Sequence, residues 1–289
     1  MRLRLAAICA AAILTALGLT ACGDDSASSS APVALTVTAS EPSEGKYAFD
    51  APKEVEGGTV QLTFKNTGAE GHEFGLVKVK DGTTPDQVLK DLLDTDEGAP
   101  IPDFALSAPG GAGGTAPGAS SVSTISLDKG TYVYFCTFSD DNGVSHYKNG
   151  MLGEFTVKDI GSTAPLPTTS ASVQPSEYKF DVKGLKAGDN TFTFSNKGKE
   201  FHHLIAVPMA DGATLDDVSQ FLQSNGEGDG PPPIDFEKEQ DLAVTGPGQS
   251  QVVSMTFDQG SYVFLCFISD KAGGPPHFTK GMLQQVDIS

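Results

Sequence analysis

Two halves of this chain carry the same text 130 residues apart. TVQLTFKNTG (59–68) returns as DNTFTFSNKG (189–198), and GTYV from Gly130 returns as GSYV from Gly260. A solenoid repeats every 20–50 residues or so, so a period this long means duplicated domains. The 289 residues suit two domains of roughly 100–150 residues each. The first is expected over 32–160 and the second over 173–289. Between them GSTAPLPTTSAS (161–172) reads as a polar, semi-extended linker.

Within each half most apolar residues alternate with polar ones, the period of a strand with one buried face. VALTVTA (33–39), TVQLTFKN, STISL (123–127), TYVYFC (131–136) and GEFTV (153–157) do so in the first half. YKFDV (178–182), NTFTFSN, QVVSMTF (251–257), SYVFLC (261–266) and QQVDI (284–288) do so in the second. One segment per half breaks the pattern. TPDQVLKDLL (84–93) has a capping threonine, proline at the first helical position and apolar residues at helical spacing, and TLDDVSQFL (214–222) is its counterpart. The expectation is an all-β chain: two tandem antiparallel β-sandwiches, each with one short helix on a connection. The glycine-rich stretch APGGAGGTAPGA (108–119) is expected to be a mobile loop.

The N-terminus reads as an address. Arg2 and Arg4 precede an apolar run too short to span a bilayer, and the run ends in Leu19-Thr20-Ala21-Cys22-Gly23. That ending resembles the bacterial lipobox, which implies a signal peptide over 1–22, acylation of Cys22, and a tether over 23–31. The protein is expected to be exported and anchored to the outer face of the cell membrane. Formal charge is −18, and near −20 once Arg2 and Arg4 leave with the signal. Such an acidic chain is a poor partner for nucleic acid, and its charge serves either a basic protein partner or simple solubility.

Of four cysteines, Cys9 leaves with the signal and Cys22 carries lipid. Cys136 and Cys266 remain, one per half at equivalent positions, which is not the pattern of a structural disulfide within a domain. Two free thiols in an exported protein are accounted for by metal ligation. Each cysteine is followed by a loop, a histidine and a methionine: Cys136, His146, Met151 and Cys266, His277, Met282. Each half supplies a second imidazole six residues after a strand-ending asparagine, His72 after Asn66 and His202 after Asn196. The fifth and last histidine, His203, adjoins His202. Taken singly, a strand-end histidine, a buried cysteine or a buried methionine is ordinary packing. The same four types repeated in one order point instead to a soft-to-borderline donor set, which suits copper better than a hard cation.

The pattern Asn-x-Gly-x-x-x-His, then Cys, a loop, His and four residues before Met resembles the cupredoxins, or type 1 copper proteins, over nearly all of both domains. The resemblance implies two Greek-key sandwiches and two copper ions. One would be held by His72, Cys136, His146 and Met151, the other by His202, Cys266, His277 and Met282. Each methionine would be the weak axial ligand. His203 would be an alternative ligand or a support for one. It also implies that His146 and His277 are the more exposed imidazoles and pass electrons to a partner. Nine residues separate Cys136 from His146 and ten separate Cys266 from His277, longer than in plastocyanin-like members and more like copper nitrite reductases. The neighbours of Cys136 (Phe135, Thr137) and Cys266 (Leu265, Phe267) are not the histidines that a multicopper enzyme needs.

The function expected is single-electron transport, with copper storage or delivery as the alternative and a metal-free binding module behind both. No nucleophile–base pair is visible, so neither an enzyme nor a small-molecule substrate is expected.

Overall fold

The computed structural model of the chain describes residues 30–93, 98–224, 226 and 230–289. The segment read as a signal peptide, with Cys22, lies outside the described residues. No helix among the described residues is long and apolar enough to cross a membrane.

The first half holds β1 (Val33–Ser43), β2 (Lys46–Asp50), β3 (Glu54–Asn66), β4 (His72–Val79), helix α1 (Pro85–Leu93), β5 (Ala105–Thr115), β6 (Ser120–Leu127), β7 (Gly130–Phe135) and β8 (Leu152–Ile160). The second holds β9 (Ala171–Ser176), β10 (Lys179–Lys183), β11 (Gly188–Ser195), β12 (His202–Pro208), α2 (Leu215–Gln223), β13 (Gln240–Thr245), β14 (Ser250–Phe257), β15 (Gly260–Leu265) and β16 (Leu283–Ile288). Alternating burial matches the alternating sequence; in β1 Leu35, Val37 and Ala39 point inward. Both helices stand where the sequence places them. Thr214 caps α2 through a reciprocal pair of bonds with Asp217. The sandwiches are mixed rather than antiparallel, because β1 and β8 pair β3 in parallel and β9 pairs β11 in parallel. Each sandwich encloses a core of its own. Phe64, Phe74 and Tyr134 lie in the first, with Phe192, Phe194 and Phe264 in the second.

The halves join edge to edge. β6 pairs β14 and β5 pairs β13, both antiparallel. One sheet therefore runs β2-β1-β3-β6-β14-β11-β9-β10 and the other β8-β7-β4-β5-β13-β12-β15-β16. Each order is a palindrome of equivalent strands. Ser123 pairs Val253, its own equivalent 130 residues on, so a local two-fold axis relates the domains.

The stretch expected to be a mobile loop, 108–119, is instead mostly strand β5, buried at this junction. Its glycines are what the junction needs. A Cβ on Gly111 would lie 2.1 Å from the Phe74 carbonyl oxygen, and one on Gly113 would lie 1.9 Å from that of Asp241. Strand β5 is poor in side chains because backbone from both domains closes on it.

The linker is docked rather than free. Gly161 and Ser162 donate their N–H groups to the Gly57 carbonyl at 3.1 and 3.2 Å. The Thr59 hydroxyl bonds the Ala164 carbonyl.

Candidate metal centres

Each centre forms where β7 or β15 ends. The Cys136 N–H donates to the Met151 carbonyl at 3.2 Å, Met151 donates to the His146 carbonyl at 3.0 Å, and Tyr147 donates to the Cys136 carbonyl at 3.1 Å. The same mesh recurs from Cys266 to Met282 (3.2 Å), Met282 to His277 (3.0 Å) and Phe278 to Cys266 (2.9 Å). Cysteine, histidine and methionine are thus laced together through their own backbones, although the two loops differ by one residue. The glycine before each methionine serves this turn. Gly150 has φ 121°, and a Cβ there would meet the Tyr47 carbonyl oxygen at 2.3 Å.

The second imidazole comes from β4 or β12. Asn66, 1% exposed, sets its approach. Its amide donates to the Glu70 and Thr115 carbonyls at 2.6 and 2.8 Å, and its oxygen accepts from Gly68 N–H at 2.9 Å. Asn196 does the same with Glu200, Thr245 and Gly198.

Two groups result. The donor atoms of His72, Cys136 and His146 lie within 4.8 Å of one another, as do those of His202, Cys266 and His277, and all six residues are buried. Met151 and Met282 are fully buried in the same cores as their cysteines. Both cysteines are free thiols. Burial pushes Cys136 up to about 12, aided by the Glu73 charge, and pushes Cys266 to about 12 as well. Burial and the neighbouring imidazole hold His146 below its usual range, and burial takes His202 down to about 4.

The ring nitrogens are arranged for a cation. In each centre the two Nδ1 atoms face each other at 3.1 Å, with the thiol 3.6 Å from the loop histidine. The outer nitrogens point at carboxylates in three of four cases. His72 Nε2 meets Glu41 at 2.5 Å, His146 Nε2 meets Glu70 at 3.1 Å, and His277 Nε2 meets Asp270 at 3.1 Å. A ring that donates from Nε2 has its lone pair on Nδ1. Two buried lone pairs aimed at one point beside a thiol repel, unless a proton or metal ion lies between them. Two imidazoles, a thiol and a nearby thioether are the donor chemistry of copper.

The loop histidines are not exposed, contrary to what the resemblance implies. His146 is 1% exposed and His277 is 0% exposed. Tyr47 stacks on His146 at 4.1 Å, and Tyr178 covers His277 at 5.1 Å. Each tyrosine hydroxyl bonds the carboxylate that holds its histidine, Glu70 at 2.9 Å and Asp270 at 2.8 Å. Sequence reasoning missed these lids. Their signal was the aromatic of the first hairpin, present in both copies.

His203 stands outside the group. Its Nε2 accepts the Phe267 N–H at 2.8 Å, which fixes the residue after Cys266. In the first copy Glu73 has this task and accepts the Thr137 N–H at 2.8 Å. Burial raises the Glu73 carboxyl above its usual range, against the pull of both Thr137 bonds.

No protein-family model matches the chain, and no curated protein is similar to it. Solved structures are. An auracyanin from Roseiflexus castenholzii is 27% identical over 45% of this chain and 98% of its own, with a TM-score of 0.28. Auracyanin A, a blue copper protein from Chloroflexus aurantiacus, is 23% identical over 43% and 98%, with a TM-score of 0.27. A copper nitrite reductase from Nitrosomonas europaea is 16% identical over 90% and 94%, with a TM-score of 0.27. In its paired sandwiches and in the placement of its two His/Cys/His groups, this chain has a two-domain cupredoxin-like fold in which each group fits one copper ion.

Proposed function

We propose that this is an exported protein, held at the outer face of the cell membrane through acylated Cys22, that carries single electrons on two coppers. His72, Cys136, His146 and Met151 would hold one copper, with His202, Cys266, His277 and Met282 holding the other. Bound copper would supply the one-electron Cu(II)/Cu(I) couple. The protein's part is to exclude water, hold the imidazoles at fixed angles and surrender the two thiol protons on loading. The observation that carries this reading is the pair of buried His/Cys/His groups whose Nδ1 atoms converge at 3.1 Å. The six His and Cys donors are all buried, and the reading assigns them to electron transfer rather than catalysis.

Storage or delivery of copper is the alternative. The tyrosine lids and full burial of the imidazoles hinder release of an ion more than transfer of an electron, and so favour the carrier. The test is copper content and visible spectrum of the mature soluble part. Two coppers per chain and an intense thiolate-to-Cu(II) absorption are expected, with half of each lost in Cys136→Ser or Cys266→Ser. A pale protein, or one that trades copper rapidly with an acceptor but is not reduced by one-electron donors, would count for the alternative. Release of the protein from membranes by Cys22→Ser tests the anchor.

A further inference from the structure

The two centres share their donors but not their surroundings. In the first, both outer ring nitrogens face carboxylates, Glu41 and Glu70. Neither of these forms an ion pair with a lysine among the described residues. Glu41 is also held from behind, where it accepts the Ala69 and Glu70 N–H groups at 2.5 and 3.3 Å.

The second centre differs on both sides. His202 Nε2 is a buried nitrogen with no hydrogen-bond partner. Glu177, which takes Glu41's place by accepting the Lys199 and Glu200 N–H groups, stays 3.9 Å from it. His277 Nε2 does meet Asp270, but Lys280 pairs with that carboxylate at 2.6 Å and lies over the Tyr178 ring at 5.0 Å. Lys280 falls at the position of Asn149 in the first copy.

A carboxylate accepting from an imidazole makes the ring a stronger donor, and an uncompensated negative charge nearby favours the more highly charged metal ion. Both effects act twice at the first centre. At the second the hydrogen bond acts once, and of the two carboxylates nearby Glu177 stands 3.9 Å off while Asp270 is paired with Lys280. We infer that the two centres are unequal. The His72/Cys136/His146 centre holds Cu(II) more firmly, and the His202/Cys266/His277 centre is reduced first, so a single electron delivered to the chain comes to rest in the second domain. Glu41 and Lys280 are the positioning residues that set this order. The step balances as one electron from an external one-electron donor, such as ascorbate, converting one Cu(II) to Cu(I).

This ordering rests on the copper-carrier reading, and the test separates the two. Copper-loaded Cys266→Ser retains only the first centre and Cys136→Ser only the second. Each is titrated potentiometrically while its thiolate-to-Cu(II) band is followed. The first centre is expected at the lower midpoint, by a gap that leaves the second at least about tenfold more reduced at equal potential, or about 59 mV for one electron. Glu41→Gln should raise the midpoint of the first centre and leave the second unmoved. Lys280→Gln should lower that of the second, which keeps the ordering testable if the Glu41 variant fails to fold. Equal or inverted midpoints overturn the ordering alone, as does an absence of effect from both substitutions. No band in either single-centre protein overturns the copper reading and the ordering with it.

Discussion

At the scale of single residues, the metal-free centres work against the fold in acid. His202 is neutral because burial, and after it the charge His277 would carry, push its pKa to about 4. In the unfolded chain the ring titrates near 6.5. Above that value both states hold it neutral, so its full contribution to stability is present. As pH falls from about 6.5 toward 4 the unfolded state takes up a proton that the folded state refuses, and stability is lost. The metal-free second domain should lose about 2–3 kcal/mol over this window from His202 alone. Urea unfolding across the window measures it, and His202→Gln should flatten the slope. A slope unchanged in that variant would show that the imidazole is not the cause. The ligand residues were legible in the sequence because type, order and duplication coincide. The carboxylates behind them were not. Glu41 reaches His72 from a strand 31 residues away, and in the second copy Glu177, at a position that is not equivalent, takes over its backbone bonds but not the one to the imidazole.

At the scale of elements, the centres depend on how a loop hands the chain from one strand to the next. Asn66 is buried and makes two hydrogen bonds within the turn between β3 and β4 and a third to the end of β5. Asn66→Ala would strand the Thr115 carbonyl and the Gly68 N–H and leave a void. A loss of roughly 2–3 kcal/mol is expected, in line with orphaned buried polar groups. The copper spectrum of the first centre should shift while that of the second stays put, because Asn196 serves the second independently. Calorimetry of the metal-free protein and the spectra of the loaded one check both halves of this statement. The asparagine was visible in the sequence as the repeated Asn-x-Gly-x-x-x-His spacing. Strand β5 was not, because strand signals come from side chains and β5 carries glycines where another backbone must pass. The parallel pairing of β1 with β3 was hidden for a related reason: alternation shows that a strand has one buried face, not which neighbour it takes.

At the scale of the whole molecule, the shared sheet sets where the centres stand. The register puts Cys136 beside Phe74 and Phe74 opposite Ala112; continuing the Thr245–Pro109 pairing puts Ala112 opposite Leu242, which pairs Leu204 beside Cys266. The two cysteines thus end one row across six strands, about 24 Å apart at ~4.8 Å per strand. β7 and β15 run in opposite directions, so the loops of the two centres leave from opposite ends. Domain 1 also clasps the second loop, where Ile101 N–H donates to the Lys271 carbonyl at 3.0 Å and Gly274 N–H to the Gly98 carbonyl at 2.7 Å. None of this was legible in sequence, because the junction is made by backbone. It is therefore sensitive to a single methyl group. Gly113→Ala would set its Cβ 1.9 Å from the Asp241 carbonyl oxygen, and β13 would have to move away. Small-angle scattering should show an expanded molecule, and thermal unfolding should split into two transitions, with both copper bands retained. Asp241 makes the same junction depend on pH. Burial, with Glu73 nearby, raises its carboxyl to about 8, although the Gly114 N–H donates to it at 2.5 Å. A folded-state pKa above the unfolded one gives stability that is fully present below about 3.9 and lost as pH climbs through 8. Asp241→Asn keeps an acceptor for Gly114 and removes the charge. At pH 8 it should stabilise the two-domain unit by an amount on the order of 1 kcal/mol, with the difference from the parent protein vanishing toward pH 4. A variant equally weakened at both pH values would show that the carboxylate holds the junction through its hydrogen bond and that its charge costs nothing there.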